Sequence, residues 1–388
     1  MSRLARCVVS AVCLAVLVAI TAGCGSAAPA RSAHATALKV PDVPLDTTIT
    51  TTAGTWAAVV MGGSAAQYNN FWQLFVRPSG GTQWKLVTPP GTADNGGLVM
   101  ASSTGQELIT AFRPSKLLTY TPLVQTSDLG HTWSALSPLD APLASTPDSL
   151  AAQPGTGRLL AVLDTGTAEQ GTPGGGSWTT LDTARALAST QAGKSCGLQA
   201  LTAVAYTSAG TPLLAGTCTR PGVTGIFADT GHGWHTAGPA LPGQLAHQAI
   251  TVLQLGTAGD QTTALLAVGT GAHASLVTAW LTGSGTSWTT SPPFTTGGHA
   301  VAASSLGPGQ TAAVITAGGH GALLAHGHWQ PLAALPAGTV ALAADSDGTA
   351  DALAVHGATL TVWHLASEQG SWTKAQTLSV PIQYGSSG

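Results

Sequence analysis

The sequence predicts an all-β repeat fold, and three observations carry that prediction. First, seven tryptophans, Trp84, Trp133, Trp178, Trp234, Trp288, Trp329 and Trp372, each follow a glycine-bearing turn. The steps between them are 49, 45, 56, 54, 41 and 43 residues, a recurring period of the kind that marks stacked or radial architectures. Second, the intervening segments are short β-rich runs broken by polar turns, with no 3.6-residue apolar stripe. Third, about four such runs fit each period, and a ring of four-stranded sheets hides its sheet edges by closing on itself. The expectation is a β-propeller of seven four-stranded antiparallel blades. Six is the alternative, if the weakest unit, 47–89, shares strands with the C-terminus.

The chain opens with Arg3 and Arg6 before an apolar stretch from Cys7 to about Ile20. That stretch is too short and wrongly flanked for a membrane span and reads as an export signal over residues 1–23. It ends in Thr21-Ala22-Gly23-Cys24, which resembles a bacterial lipobox except that threonine stands where leucine is usual. The resemblance implies diacylation of Cys24 and a lipid anchor on the outer face of the cell membrane. The other reading is a plain signal peptide cut near Ala28 or Ala30, which discards Cys24 and gives a secreted protein. Residues 24–46, rich in Ala, Ser and Pro, read as a flexible linker. The propeller domain is expected over 47–384, followed by a disordered tail over 385–388. Strand 47–52 and the tail 378–383 are the candidates for closing the ring.

Charged residues make up only 7% of the chain. Without Arg3 and Arg6 the 13 basic residues fall to 11 against 16 acidic, a balance of −5. That balance argues against nucleic acid as a partner, because nucleic-acid binding selects for basic stripes. Once the signal is removed and Cys24 lipidated, Cys196 and Cys218 remain. They flank two strand-like runs, 198–206 and 213–216, so a hairpin centred near Thr207 sets them opposite each other. Outside the cytoplasm a disulfide is the expected state.

The clearest unit runs from Gly97 to Leu139. Leu98-Val99-Met100-Ala101, Leu108-Ile109-Thr110-Ala111-Phe112, the run 118–125 and Trp133-Ser134-Ala135-Leu136 read as its four strands. Between the third and fourth lies Thr126-Ser127-Asp128-Leu129-Gly130-His131-Thr132-Trp133. Asp128 is suited to accept N–H groups within its own turn, Gly130 allows a backbone conformation that larger residues resist, and Trp133 is placed to wedge between sheets. A second copy keeps Asp229, Gly231 and Trp234, while the others retain glycine and tryptophan only. Similar strand quartets fall at 249–292, 300–332 and 341–378.

The run from Thr126 to Trp133 resembles the Asp-box, or BNR, repeat of the sialidase-like β-propeller superfamily. The resemblance implies that the box residues Thr126, Asp128, Gly130, Trp133, Asp229, Gly231 and Trp234 are structural and lie on the rim, away from any ligand. Sialidases of that superfamily use a three-arginine clamp, which suits a carboxylate because guanidinium forks match it bidentately, together with a tyrosine–glutamate pair and an aspartate acid/base. This chain does not reproduce the pattern. Phe112-Arg113-Pro114 lacks the isoleucine of the family motif, and Tyr68, Tyr120 and Tyr206 have no glutamate partner in sequence. No catalytic residue is assigned, and neither a metal nor a cofactor is expected. His232, His235, His320, His326 and His328 read as solvated turn residues.

A ligand is expected on the face opposite the box turns, where Tyr68, Asn70, Asp94, Arg113, Lys116, Glu169, Arg185 and Arg220 supply polar loop groups. The functional expectation is a monomeric, lipid-anchored binding or scaffold module for a protein, peptide or glycan at the cell envelope. The alternative is a divergent sialidase-like glycoside hydrolase.

Overall fold

A computed structural model describes residues 45–62, 70–90, 92, 98–102, 105–112, 123–136, 143, 147–172, 177–270, 274–283, 287–307, 309–368 and 370–381. The side chains of Leu45, Asp46 and Asn70 are outside this description. All of these residues belong to one compact unit, Pro41–Gly388. The expected export signal, Cys24, most of the linker and the tail lie outside the described residues. Among the described residues no helix is long and apolar enough to cross a membrane.

The fold is an all-β propeller; in chain order the described strands fall into antiparallel groups of four, with the short strand Phe294–Thr295 added to the fifth group. Blade one comprises Leu45–Thr50, Gly54–Gly62, Asn70–Pro78 and Lys85–Leu86. Blade two comprises Leu98–Ala101, Leu108–Phe112, Leu123–Thr126 and Ser134–Ala135. Blade three comprises Ser149–Ala152, Leu159–Val162, Thr167–Gly171 and Trp178–Thr183. Blade four comprises Leu198–Tyr206, Pro212–Cys218, Ile226–Asp229 and Trp234–Thr236. Blades five and six start at Ile250–Ala258 and Val301–Leu306. Blade seven comprises Thr339–Ala344, Ala350–His356, Thr359–Leu365 and Thr373–Ser379. The central strands are near-continuous apolar runs buried on both faces, as Leu108–Phe112 and Leu159–Val162 show, and the core accordingly lies between blades.

The recurring tryptophan explains how each blade meets its predecessor. Trp133 joins the apolar cluster shared by blades one and two, and Trp178 joins that of two and three. Trp234, Trp288, Trp329 and Trp372 do the same around the ring. Several indoles also donate to the preceding blade: Trp288 Nε1 to the Ala237 carbonyl at 2.7 Å, Trp329 Nε1 to Ser291 Oγ at 3.2 Å. An indole suits this position because it brings a large apolar area and one N–H that must find an acceptor.

The ring closes by the same wedge. Trp84 of blade one, only 1% exposed, packs among Ala341, Leu353, Leu360 and Val362 of blade seven. Its Nε1 donates to Asp351 Oδ2 at 2.8 Å, and Arg77 Nη1 donates to the same oxygen at 2.8 Å. Asp351 Oδ1 accepts from His364 Nδ1 at 2.9 Å, while Arg77 Nη2 reaches both oxygens of Asp345 at 2.7 Å. The Gln376 carboxamide completes the seam, accepting from Trp84 N at 2.8 Å and donating to Trp84 O at 2.9 Å.

Among the described residues the two candidate closing segments do not pair with each other. The strand expected at 47–52 begins at Leu45 and stays in blade one, paired antiparallel with Gly54–Gly62. It pairs parallel with Val301–Leu306 of blade six, Leu45 opposite Ala303 and Ile49 opposite Leu306. Thr47 and Thr48 hydroxyls donate to the Ser304 and Leu342 carbonyls, at 3.2 and 3.3 Å. The inner strands of blades six and seven are built largely from Ala, Ser and Thr, and small side chains let backbones approach this closely. Residues 373–379 remain the outer strand of blade seven.

Two short helices interrupt the β pattern between blades three and four, Ala184–Ser189 (α1) and Gln191–Cys196 (α2). Each is N-capped by a threonine: Thr183 Oγ1 accepts from Ala186 N, and Thr190 Oγ1 from Gly193 N, both at 3.1 Å. Sequence reasoning missed them because neither is long enough to display a helical period. Cys196 and Cys218 form a disulfide, but not across two strands as expected. Cys196 ends α2, and Cys218, opposite Leu198, ends the second strand of blade four. The bridge therefore staples the helical insert to blade four.

Candidate functional site

The box turn of blade two is held by hydrogen bonds from its own side chains. Thr126 Oγ1 donates to Asp128 Oδ1 at 2.8 Å and accepts from Gly130 N at 2.9 Å. Thr132 N and Thr132 Oγ1 donate to Asp128 Oδ1 and Oδ2, at 2.9 and 2.6 Å. These bonds, those from Thr132 foremost, lower the Asp128 carboxyl to a pKa of about 2, since hydrogen bonds to a carboxylate favour its charged form. Gly130 has φ +81°, and a Cβ there would come within 2.5 Å of Val87 in blade one. The turn's backbone thus rests on the neighbouring blade. In the second copy Asp229 Oδ1 accepts from Gly231 N at 2.8 Å.

Beside this turn opens a cleft of about 500 Å³. It arises because the nine-residue strand Asn70–Pro78 outruns its two-residue partner Lys85–Leu86, after which the chain departs through Thr88, Pro89 and Pro90. Phe71 and Trp72 come from the uncovered strand, Leu86 and Val87 from the short one, and His131 and Trp133 from the box turn. Among the described residues no Asp, Glu, Lys or Arg lines it. Leu86, 39% exposed, is the exposed large hydrophobic side chain among the described residues. Sequence reasoning assigned the box turn to structure alone and did not see this cleft, which two blades make together.

The residues expected to bind ligand fall only in part among the described residues. Tyr68, Asp94, Arg113 and Lys116 lie outside the described residues. Asn70 begins the third strand of blade one, opposite Gly62. Glu169 is not in a loop as expected but inside a strand, opposite Ala161 and Thr180, because Thr167–Gly171 is the third strand of blade three. Arg185 sits on α1, and Arg220 follows the strand Pro212–Cys218. Lys194 on α2 is close by in the chain's path, since Arg220 N donates to the Cys196 carbonyl at 3.0 Å. All three cations are exposed.

Two titratable groups stand out: Asp148, which the sequence did not single out, and Tyr206, which it set aside for lack of a glutamate partner. Asp148, whose N–H meets the Val162 carbonyl at 2.7 Å, immediately precedes the inner strand of blade three. Desolvation, and then the charge of Asp164, push its carboxyl up. The Tyr206 hydroxyl, also raised by burial, accepts from Gln170 Nε2 at 2.8 Å. His320 lies near His299, ring centres 5.8 Å apart, and His326 Nδ1 stands 3.5 Å from Glu368 Oε1. Among the described residues no group of three or more His, Cys, Asp or Glu side chains is arranged to hold a metal ion.

No protein-family model matches the chain, and no curated protein matches it in sequence. Solved structures do resemble it. A protein from Lactobacillus plantarum, 12% identical, aligns over 84% of this chain and 96% of its own, with a TM-score of 0.50. A YCF48 bound to a D1 peptide, 14% identical, aligns over 74% and 83%, with a TM-score of 0.43. The six-bladed, fucose-recognising lectin of Aleuria aurantia, 14% identical, aligns over 74% and 96%, with a TM-score of 0.38. At these identities, what the chain shares with such proteins is the β-propeller fold.

Proposed function

We propose that this protein is a binding or scaffold module of the cell envelope, tethered by a lipid on Cys24 and presenting its propeller to a protein, peptide or glycan. The observation that carries the reading is the uncharged aromatic cleft between blades one and two. A concave cleft that combines aromatic and aliphatic side chains with a few polar groups is a common form of recognition site. A ring locked by its own tryptophans holds such a surface rigid, which reduces the entropy lost on binding. The lipobox-like Thr21-Ala22-Gly23-Cys24 supports the anchor.

The test is a binding screen of the soluble body, from Asp46 onward, against envelope glycans and secreted proteins. A specific ligand is the expected result, and steady turnover of a glycoside by the same protein would overturn it. Metabolic labelling with a palmitate analogue, lost on Cys24→Ser, tests the anchor. The second reading, a divergent sialidase-like hydrolase, draws on the raised Asp148 carboxyl beside Asp164. It requires turnover that disappears in Asp148→Asn.

A further inference from the structure

The outer edge of blade one already binds an amide group supplied by the protein itself. In the ladder between Asn70–Pro78 and Lys85–Leu86, Phe75 stands opposite Leu86 and Val76 opposite Lys85. Val87 N donates inward, to the Leu74 carbonyl at 2.8 Å. Antiparallel backbone groups alternate in direction, so Lys85 and Val87 face the sheet, while Trp84 and Leu86 turn their N–H and C=O outward. The carboxamide of Gln376 occupies the Trp84 position, accepting from its N–H and donating to its carbonyl at 2.8 and 2.9 Å, as a peptide unit of an added strand would. One step along, Leu86 offers the same donor and acceptor, and no partner takes them among the described residues.

The cleft lies beside this open position. Its charge bears on part of the ligand's chemistry: with no Asp, Glu, Lys or Arg in its lining among the described residues, it favours an uncharged segment, since burying an unpaired charge there would be expensive. Its hydrogen bonding decides the rest. Thr88 Oγ1 is already engaged with Gln73 Oε1 at 2.5 Å and Leu74 N at 2.9 Å. Thr92 Oγ1 donates to the Pro89 carbonyl at 2.9 Å, and His131 Nδ1 bonds the Asp128 carbonyl at 2.5 Å. The threonine hydroxyls of the lining are thus turned to the protein itself, and the cleft's distinctive offer is the backbone edge at Leu86. An extended peptide needs a free backbone edge and a recess for a side chain, and both are present.

We infer that the Leu86 edge is a strand-addition site for an extended, uncharged peptide, which places one apolar side chain in the cleft between Trp72, Leu86 and Trp133. This rests on the binding-module reading and narrows it to one site and one ligand class.

The test titrates the full chain with the blocked peptide acetyl-Thr-Val-Thr-Leu-Thr-Val-Thr-amide, following indole NMR resonances and tryptophan fluorescence. Three controls accompany it: the same peptide N-methylated on either side of leucine, chitohexaose, and the variant Leu86→Pro. Proline removes one edge N–H and is tolerated on edge strands, and unchanged indole resonances away from the cleft verify that the variant is folded. Saturable binding is expected, weakened at least tenfold by N-methylation and by Leu86→Pro, with no response to chitohexaose. Equal binding of the methylated peptide, wild-type affinity in Leu86→Pro, or chitohexaose shifting the Trp133 indole in place of the peptide would each overturn it. A ligand from the envelope screen that binds without displacing the peptide, or without sensing Leu86→Pro, sinks this site and leaves the module reading standing.

Discussion

Arg77 in blade one and Asp345 in blade seven, 268 residues apart in sequence, meet with one guanidinium nitrogen 2.7 Å from both carboxylate oxygens. The other nitrogen binds Asp351, whose side chain is 5% exposed. Replacing Arg77 by methionine leaves the Asp351 carboxylate buried without its cation. Breaking a buried pair from one side typically destabilises by about 3–5 kcal/mol. Urea unfolding of Arg77→Met is expected to show a loss of that order, and a loss under about 1 kcal/mol would demote the seam to a surface ion pair.

The two box glycines separate backbone conformation from packing. Both have positive φ, +81° at Gly130 and +84° at Gly231. A Cβ at Gly130 meets Val87, whereas one at Gly231 meets nothing within 4 Å. Gly231→Ala should therefore lose only the left-handed penalty, about 1–2 kcal/mol. Gly130→Ala adds overpacking of about 1–3 kcal/mol. Chemical denaturation of the pair should rank Gly130→Ala clearly as the more damaged.

Acid should act on the box turn through Asp128. Its carboxyl titrates at about 2 in the folded protein, below the ordinary value of 3.8. A depressed folded pKa means the stabilisation is complete above about pH 4 and drains away as the pH falls toward 2. The melting-temperature gap between the native protein and Asp128→Asn should then be constant at neutral pH and shrink over that acid window. A gap that persists unchanged at pH 2 would contradict the turn geometry.

The disulfide joins Cys196 to Cys218 across a separation of 22 residues. Both cysteines are buried, at 0% and 3% exposed. Closing a loop of this size restricts the unfolded chain by about 3 kcal/mol. The double variant Cys196→Ser, Cys218→Ser should lose about that much, with hydrogen exchange rising first in α1 and α2, which the bridge holds to blade four. Unchanged exchange in the insert would show that its threonine caps and Leu187 suffice.

The sequence by itself determined the blades. The glycine turn, the tryptophan and the strand runs around them act within about 45 residues, and local backbone preference with period-two patterning is enough to write them. Even the first unit, the faintest in sequence, folds with four strands of its own. Wherever distant segments must meet, only the tertiary structure decided. It placed Cys196 on a helix whose six residues show no period, and it put Glu169 inside a strand. It joined the first and last blades through Arg77, Trp84, Asp351 and Gln376. It formed the cleft from Trp72 of one blade and Trp133 of the next, a juxtaposition no single repeat encodes. Those features depend on which faces come together once the seven units are packed, and packing is a property of the pair of surfaces, not of either stretch of chain.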